Sequence, residues 1–241
     1  VTNNSYGSNI CEGVVSALLT DATFSGKPKK QVGVLEVDER SSLKVYKYLT
    51  PDILICNNIM RDSLKRNAHT EFICYILNKQ LPSSTKVVLN ADDLICSGLF
   101  PNNKDRTYFG VSADRPENGA ATDEALRDIV YCPKCGAKLE TEYVRYTHIG
   151  RHHCPACGFA SPKPDYDVTE INREKGTFTV THNGVDEEYK IVNDNIINIY
   201  NSCAVISVLH TFGLDYEKIH NAFETVKIVS SRFDIKKVGD Y

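Results

Sequence analysis

Residues 86–93 read KVVLNADD. An apolar, β-branched run that stops in amide and carboxylate side chains is the profile of a strand covered on both faces, ending at the rim of a sheet. The same profile stands twice upstream, as VGVLEV at 32–37 and DILICNN at 52–58. Between the runs, Glu39–Tyr48 and Asp62–Lys79 read as helices. Strand, polar end and helix in repetition predict an α/β fold with a mostly parallel, doubly wound sheet. In such sheets ligands bind outside the carboxyl ends of the strands. Glu36, Asp38, Asn57, Asn58, Asn90, Asp92 and Asp93 therefore fall where a site belongs. Taken singly, each is equally well explained as turn chemistry that ends a strand. Three strands ending alike favour the site.

Downstream, RTYFGV at 106–111 reads as a further strand and Thr122–Val130 as a helix. Then comes a different kind of sequence, YCPKCGAKLETEYVRYTHIGRHHCPACG at 131–158. Two Cys-x-x-Cys pairs, Cys132/Cys135 and Cys154/Cys157, are each followed by glycine and stand 18 residues apart. This spacing belongs to four-cysteine metal sites. Each Cys-x-x-Cys-Gly turn aims two thiolates at one point, and the glycine takes the φ > 0 that closes the knuckle. Four sulfurs in a tetrahedron suit Zn²⁺ with no open position, so the ion is structural; iron is the other metal such a set holds. Residues 138–153 are expected to form a hairpin, with Leu139, Thr141, Tyr143 and Arg145 alternating and Gly150 at its turn. With the tetrahedron filled by thiolates, His148, His152 and His153 are expected on the ribbon's exposed face.

After Pro162 and Pro164, GTFTVTHNGVDEEYKIV at 176–192 alternates around Asn183-Gly184, a strong hairpin signal. Helix Asn198–Phe212 follows, closed by Gly213, then helix Tyr216–Val226 and a strand-like end, SSRFDIKKVGDY. Near the start, NNSYGSN at 3–9 is a polar loop, Glu12–Leu19 has helical spacing, and KPKK at 27–30 is a solvated turn. Gly26-Lys27 lacks the glycine and hydroxyl spacing of a phosphate loop, and no such loop occurs anywhere in this sequence.

Composition narrows the function classes. A net charge of −3 supplies no basic field for nucleic acid. Of nine cysteines, five (Cys11, Cys56, Cys74, Cys96, Cys203) stand singly in apolar surroundings, which predicts reduced, buried thiols and a cytoplasmic protein. No apolar run approaches the about 18 residues of a membrane span, and no signal segment opens the chain. The first residue is Val1 and the opening is abrupt, so a longer parent protein is expected.

Taken in order, VLEVDE (34–39), CNNIMRDSL (56–64), VLNADD (88–93), the cysteine ribbon and NIINIYNSCAVISV (195–208) resemble the central domain of the Mur ligases. These are ATP-dependent enzymes that form amide bonds in peptidoglycan precursors. The four-cysteine insertion makes the resemblance closest to the MurT-type subunits, which work with a glutamine amidotransferase (GatD-type) subunit on a lipid-linked peptidoglycan precursor. The resemblance covers most of residues 3–235. It implies a Mur ligase central domain at 1–130 and 165–230, an inserted zinc ribbon at 131–164, and at 231–241 the start of a linker to a C-terminal ligase domain.

The resemblance also implies roles. Glu36 matches the acid that holds Mg²⁺ against the nucleotide phosphates, and Asn58 the amide at the next strand end. Asn90 and Asp92 match the turn beside ATP. Asn198 and Asn201, three apart at a helix start, match the pair that meets adenine, and Arg232 the arginine at the domain junction. Cys132, Cys135, Cys154 and Cys157 match the zinc ligands. Without the resemblance, Asn198 and Asn201 are equally well read as helix caps, and Arg232 as one half of a surface ion pair. Three departures stand out: Lys65 replaces an acid, Ala68-His69 replaces Gly-Glu, and Leu94 replaces the proline that usually follows the turn. The phosphate loop and the C-terminal domain are absent from this sequence, so it is not expected to turn over ATP alone. The competing reading is a zinc-ribbon binding module for nucleic acid or protein, with Arg145, Arg151, His152 and His153 as a basic face. A third makes the ribbon a docking surface for the amidotransferase.

Overall fold

The computed structural model describes residues 1–5, 8–60, 69–116 and 129–226. The chain divides into two compact units, one of residues 1–108 and 116–163, the other of 109–115 and 164–241.

In the first unit, β3 (Ile53–Cys56) and β4 (Lys86–Asn90) pair in parallel, from Ile53 opposite Lys86 to Cys56 opposite Leu89. Helix α3 (Thr70–Gln80) crosses between them. The apolar residues of β4 are buried, as their run predicts: Val87 and Leu89 pack with Ile73 and Leu77 of α3 and with Cys96, Leu99 and Phe100 beyond the strand. The loop to β5 (Arg106–Val111) is pinned by Arg106, whose guanidinium donates to the carbonyls of Ser97, Leu99 and Phe100 at 2.8–2.9 Å. The short α4 (Leu94–Ser97) lies at the end of β4.

The run at 32–37 departs from expectation. Only β2 (Gly33–Val34) is strand, paired in parallel with β1 (Thr2–Asn3), and both its residues are exposed. The partner strand offers two residues of ladder, and past it the Asn4 side chain takes over. Its Oδ1 accepts from the Glu36 N–H at 2.9 Å and its Nδ2 donates to the Glu36 carbonyl at 2.8 Å. Between these strands runs α1 (Cys11–Thr20), and after them α2 (Ser42–Val45), a single turn where a longer helix was expected.

The second unit holds the end of β5, then β8 (Tyr166–Asn172), β9 (Thr177–His182) and β10 (Val185–Lys190). β5 and β8 run parallel; β8, β9 and β10 are antiparallel. The turn Asn183-Gly184, with φ of 51° and 76°, is the predicted two-residue hairpin connection. Helix α5 (Ile196–Thr211) buries Ile199, Tyr200, Cys203, Ala204 and Ile206, and Gly213 at φ 83° ends it. Helix α6 (Tyr216–Thr225) sets Phe223 against Phe178 and Tyr189. The fold is α/β and mostly parallel in its sheet: β3–β4 in the first unit and β5–β8 in the second pair in parallel, with β9–β10 as an antiparallel arm. Residues 122–128 of the helix read at 122–130, residues 62–68 of the helix read at 62–79, and the end of the chain from 227 lie outside the described residues.

The ribbon is a separate two-stranded sheet, β6 (Glu140–Tyr146) with β7 (Ile149–His153). Its turn is at Thr147-His148, not at Gly150: Tyr146 pairs with Ile149, and Thr147 takes the positive φ of 47°. Gly150 sits inside β7, where a Cβ would meet the Tyr143 carbonyl oxygen at 2.0 Å. Close backbone approach, rather than a turn, accounts for this glycine.

Candidate functional site

The carboxyl ends of β3 and β4 are tied together by side chains of the turn after β4. Asn90 donates from Nδ2 to the Asn57 carbonyl at 2.9 Å, and its Oδ1 accepts from the Asp92 N–H at 2.9 Å, an Asx turn that reverses the chain. Asp93 caps α4 by accepting from the N–H groups of Ile95 and Cys96 at 2.9 and 3.0 Å, and its second oxygen accepts from Ile59 N–H at 2.8 Å. The buried Cys96 thiol, kept protonated by burial, points at the Cys56 carbonyl at 3.1 Å. Asn58 stands between these anchors, half-buried.

Asn90 and Asp92, expected in the turn beside the nucleotide, are buried in the protein. Asp92 is paired with Arg151 of β7, Nη1 to Oδ1 at 3.1 Å. The Asn90 side chain builds the turn, and the Asp92 carboxylate ties it to β7. Sequence reasoning missed this because the partner lies 59 residues away, in a segment read as an independent ribbon.

The ribbon carries a four-cysteine cluster that could hold a metal ion. The sulfurs of Cys132, Cys135, Cys154 and Cys157 all lie within 4.8 Å of one another. Cys132 to Cys157 is 3.7 Å and Cys135 to Cys154 is 3.5 Å. A tetrahedral Zn²⁺ with Zn–S near 2.3 Å requires sulfurs about 3.8 Å apart, so the set fits the ion. Both knuckles have one build: Gly136 and Gly158 stand at φ 75° and 71°, donating to the Cys132 and Cys154 carbonyls at 2.8 and 3.0 Å. All nine cysteines are free thiols; Cys96 and Cys203 of the five single ones are buried, while Cys11, Cys56 and Cys74 are half-buried.

Two of the ribbon histidines are not exposed as expected. His148 is fully buried, its Nε2 3.2 Å from Asp93 Oδ1, and His152 is buried between Thr141 and the His148 carbonyl. Only His153 lies outward, beside Glu140 at 3.0 Å. The reason is docking: the hairpin tip rests on the turn after β4 instead of in water. Tyr146 beside it has its phenol pushed up to about 12 by burial, with Asp93 and Asp92 adding. Leu94, the residue in place of the usual proline, is buried with Cys132, Leu139 and Cys154 in a small apolar cluster.

Glu36 lies exposed, its carboxylate accepting from Asn9 Nδ2 at 3.2 Å. Its backbone is clamped by Asn4, so the side chain leaves a fixed point. In the second unit, Asn195 caps α5 by accepting from Ile197 N–H at 2.9 Å. Asn198 and Asn201 thus stand half-buried in the first turns of α5 with the capping task done by another residue. Arg232, Lys65 and Ala68 lie outside the described residues.

No family model matches the chain. Over 226 residues, 93% of the chain, it is 30% identical to the MurT subunit of lipid II isoglutaminyl synthase (glutamine-hydrolyzing) from Staphylococcus aureus strain COL, covering 49% of that protein. Against the MurT subunit of Streptococcus pneumoniae strain R6 the identity is 28% over the whole chain and 53% of the relative. The chain is homologous to the MurT subunits. It spans about half the length of these relatives. The fold agrees: a pseudomurein peptide ligase type C from Methanothermus fervidus superposes with a TM-score of 0.68 at 23% identity, over 84% of this chain and 40% of that one. MurF from Acinetobacter baumannii superposes at 0.53 and 11% identity, over 87% and 37%. A Mur ligase fold thus carries the MurT likeness, and the relatives are ligases. Among the described residues, no helix is long and apolar enough to cross a membrane.

Proposed function

We propose that this chain is the ATP-binding core of an ATP-dependent amide ligase of peptidoglycan-precursor synthesis. The observation that carries the reading is the 30% identity to a MurT subunit along 93% of the chain. In the whole protein, ATP would phosphorylate the α-carboxylate of D-glutamate in a lipid-linked precursor, releasing ADP. Ammonia from a glutamine amidotransferase subunit would then attack the acyl carbon, expel phosphate and leave the amide.

Glu36 is the residue assigned to Mg²⁺, because it presents an exposed carboxylate from an immobilised backbone and such a hard cation takes oxygen ligands. Mg²⁺ when bound neutralises charge on the transferring phosphoryl group. Asn58 is assigned to the substrate side of the strand ends on the resemblance. Asn90 and Asp92 act on the nucleotide through the turn they shape. Asn198 and Asn201 are assigned to adenine: each amide offers both donor and acceptor to a purine edge, and neither caps its helix. Arg232 is assigned to the nucleotide on the resemblance alone. The four cysteines hold a structural Zn²⁺.

The competing nucleic-acid reading needs a basic ribbon face of Arg145, Arg151, His152 and His153, yet Arg151 is engaged by Asp92 and by the Ser161 and Pro162 carbonyls, and His152 is buried. The test is Glu36→Ala in the full-length enzyme with its amidotransferase. Amidation should fall by at least about a hundredfold, with an unchanged melting temperature. An unchanged rate overturns the assignment.

A further inference from the structure

We infer that the four-cysteine ribbon is a positioning device for the strand-end turn, and that His148 and Arg151 are the positioning residues through which it acts. Three hydrogen bonds from the β6–β7 hairpin land on two consecutive residues. His148 Nε2 donates to Asp93 Oδ1 at 3.2 Å, Gly150 N–H to the Asp92 carbonyl at 2.7 Å, and Arg151 Nη1 to Asp92 Oδ1 at 3.1 Å. Leu94, next in sequence, closes the contact from the apolar side by packing on Cys132, Leu139 and Cys154. The turn is thus gripped by polar groups of the hairpin and by the apolar packing round two metal ligands.

The grip is passed on to β3. Asp93 takes His148 and the α4 cap on one oxygen, and Ile59 N–H on the other. One carboxylate therefore joins the hairpin tip to the segment that carries Asn58. At the other end of the hairpin, the linkage runs back toward the metal. His152 Nε2 lies 3.0 Å from the His148 carbonyl, which only accepts, so Nε2 carries the proton. In the neutral ring Nδ1 then accepts from the Thr141 hydroxyl at 3.0 Å. This holds the turn bearing His148 in place, two residues from the ligand Cys154. Arg151 spreads its other nitrogen over the Ser161 and Pro162 carbonyls at 3.1 and 2.9 Å, tying the ribbon's exit to the same turn.

A ribbon that served only to fold itself would need no such contact. The His148–Asp93 pair has both side chains at 0% exposure. Desolvating an imidazole and a carboxylate is costly, and breaking one half costs more than the pair contributes. The best-attested use of a buried polar pair is to select one geometry among close alternatives, and here the geometry selected is that of the β3 and β4 ends. The positional claim stands without the ligase reading; only its catalytic consequence rests on that reading.

The experiment is amide hydrogen exchange by NMR on this chain loaded with Co²⁺, whose thiolate absorption reports an intact ribbon. In His148→Ala the Ile59 amide should exchange at least about tenfold faster, as expected for losing about one hydrogen bond's worth of local stability. The cobalt spectrum and the exchange of the Val87 amide in the β4 core should not change, and His148→Gln, which keeps a donor, should restore part of the protection. Should His148→Ala not fold, Arg151→Gln takes its place, with the Gly150 amide as the reporter and the same tenfold expectation. An unchanged Ile59 amide in His148→Ala, or an unchanged Gly150 amide in Arg151→Gln, overturns the inference. Exchange rates do not depend on turnover, so failure of the ligase reading leaves this result standing.

Discussion

Asp93→Asn tests how much of the first unit hangs on one carboxylate. Four donors converge on Asp93: the N–H groups of Ile95, Cys96 and Ile59, at 2.8–3.0 Å, and His148 Nε2 at 3.2 Å. A carboxylate has two accepting oxygens; an amide of the same shape has one. If the asparagine oxygen stays on the α4 cap and His148, its NH₂ faces the Ile59 N–H, and two donors meet in a buried place. An unsatisfied buried donor costs about 1–3 kcal/mol, and the remaining bonds lose their charge assistance. Against this, a buried charge disappears, which returns part of its desolvation cost. The net is a loss of about 2–3 kcal/mol. For a chain of this size that corresponds to a melting temperature lower by roughly 5–10 °C. Urea unfolding is the assay: the midpoint should fall at constant slope. Because His148 shares the site, the double substitution Asp93→Asn, His148→Gln should cost less than the two single losses added. A loss below about 0.5 kcal/mol, the range of an ordinary surface change, would refute the account of Asp93 as the bridge.

Gly150→Ala should cost about 3 kcal/mol, read as a lower melting temperature, because its Cβ would stand 2.0 Å from the Tyr143 carbonyl oxygen and 2.8 Å from Val144 Cα, both backbone. Wild-type melting in this variant would mean that β6 and β7 are not so closely apposed. Strong chelation should release one divalent ion per chain, lower the melting temperature and expose the four ribbon thiols to a thiol reagent, since metal binding to such sets is coupled to folding; a chain that yields no ion and melts unchanged would show the cysteines fold without metal.

Much of the fold was legible without coordinates. Strands β3, β4 and β5, the Asn183-Gly184 hairpin, helices α5 and α6 and both cysteine knuckles follow from local rules: apolar runs, alternation, helical spacing and glycine at positive φ. The run at 32–37 satisfied the same rule and still became two exposed residues of strand, because a ladder is only as long as its partner, and β1 has two residues. Asn198 and Asn201 read equally well as helix caps in the sequence, but α5 starts earlier and is capped by Asn195.

What the amino-acid order alone determined is the set of parts: a parallel α/β core, an antiparallel arm, a four-cysteine cluster and the resemblance to Mur ligases. What only the tertiary structure decided is where the ribbon packs. His148 and Arg151 look like ribbon surface in the sequence, and Leu94 like a lost proline, yet all three meet at one turn. Their contacts with Asp93 and Asp92 span 55 and 59 residues. Periodicity and spacing report each residue's neighbours along the chain; which distant surface excludes water from a side chain is settled only when the elements pack.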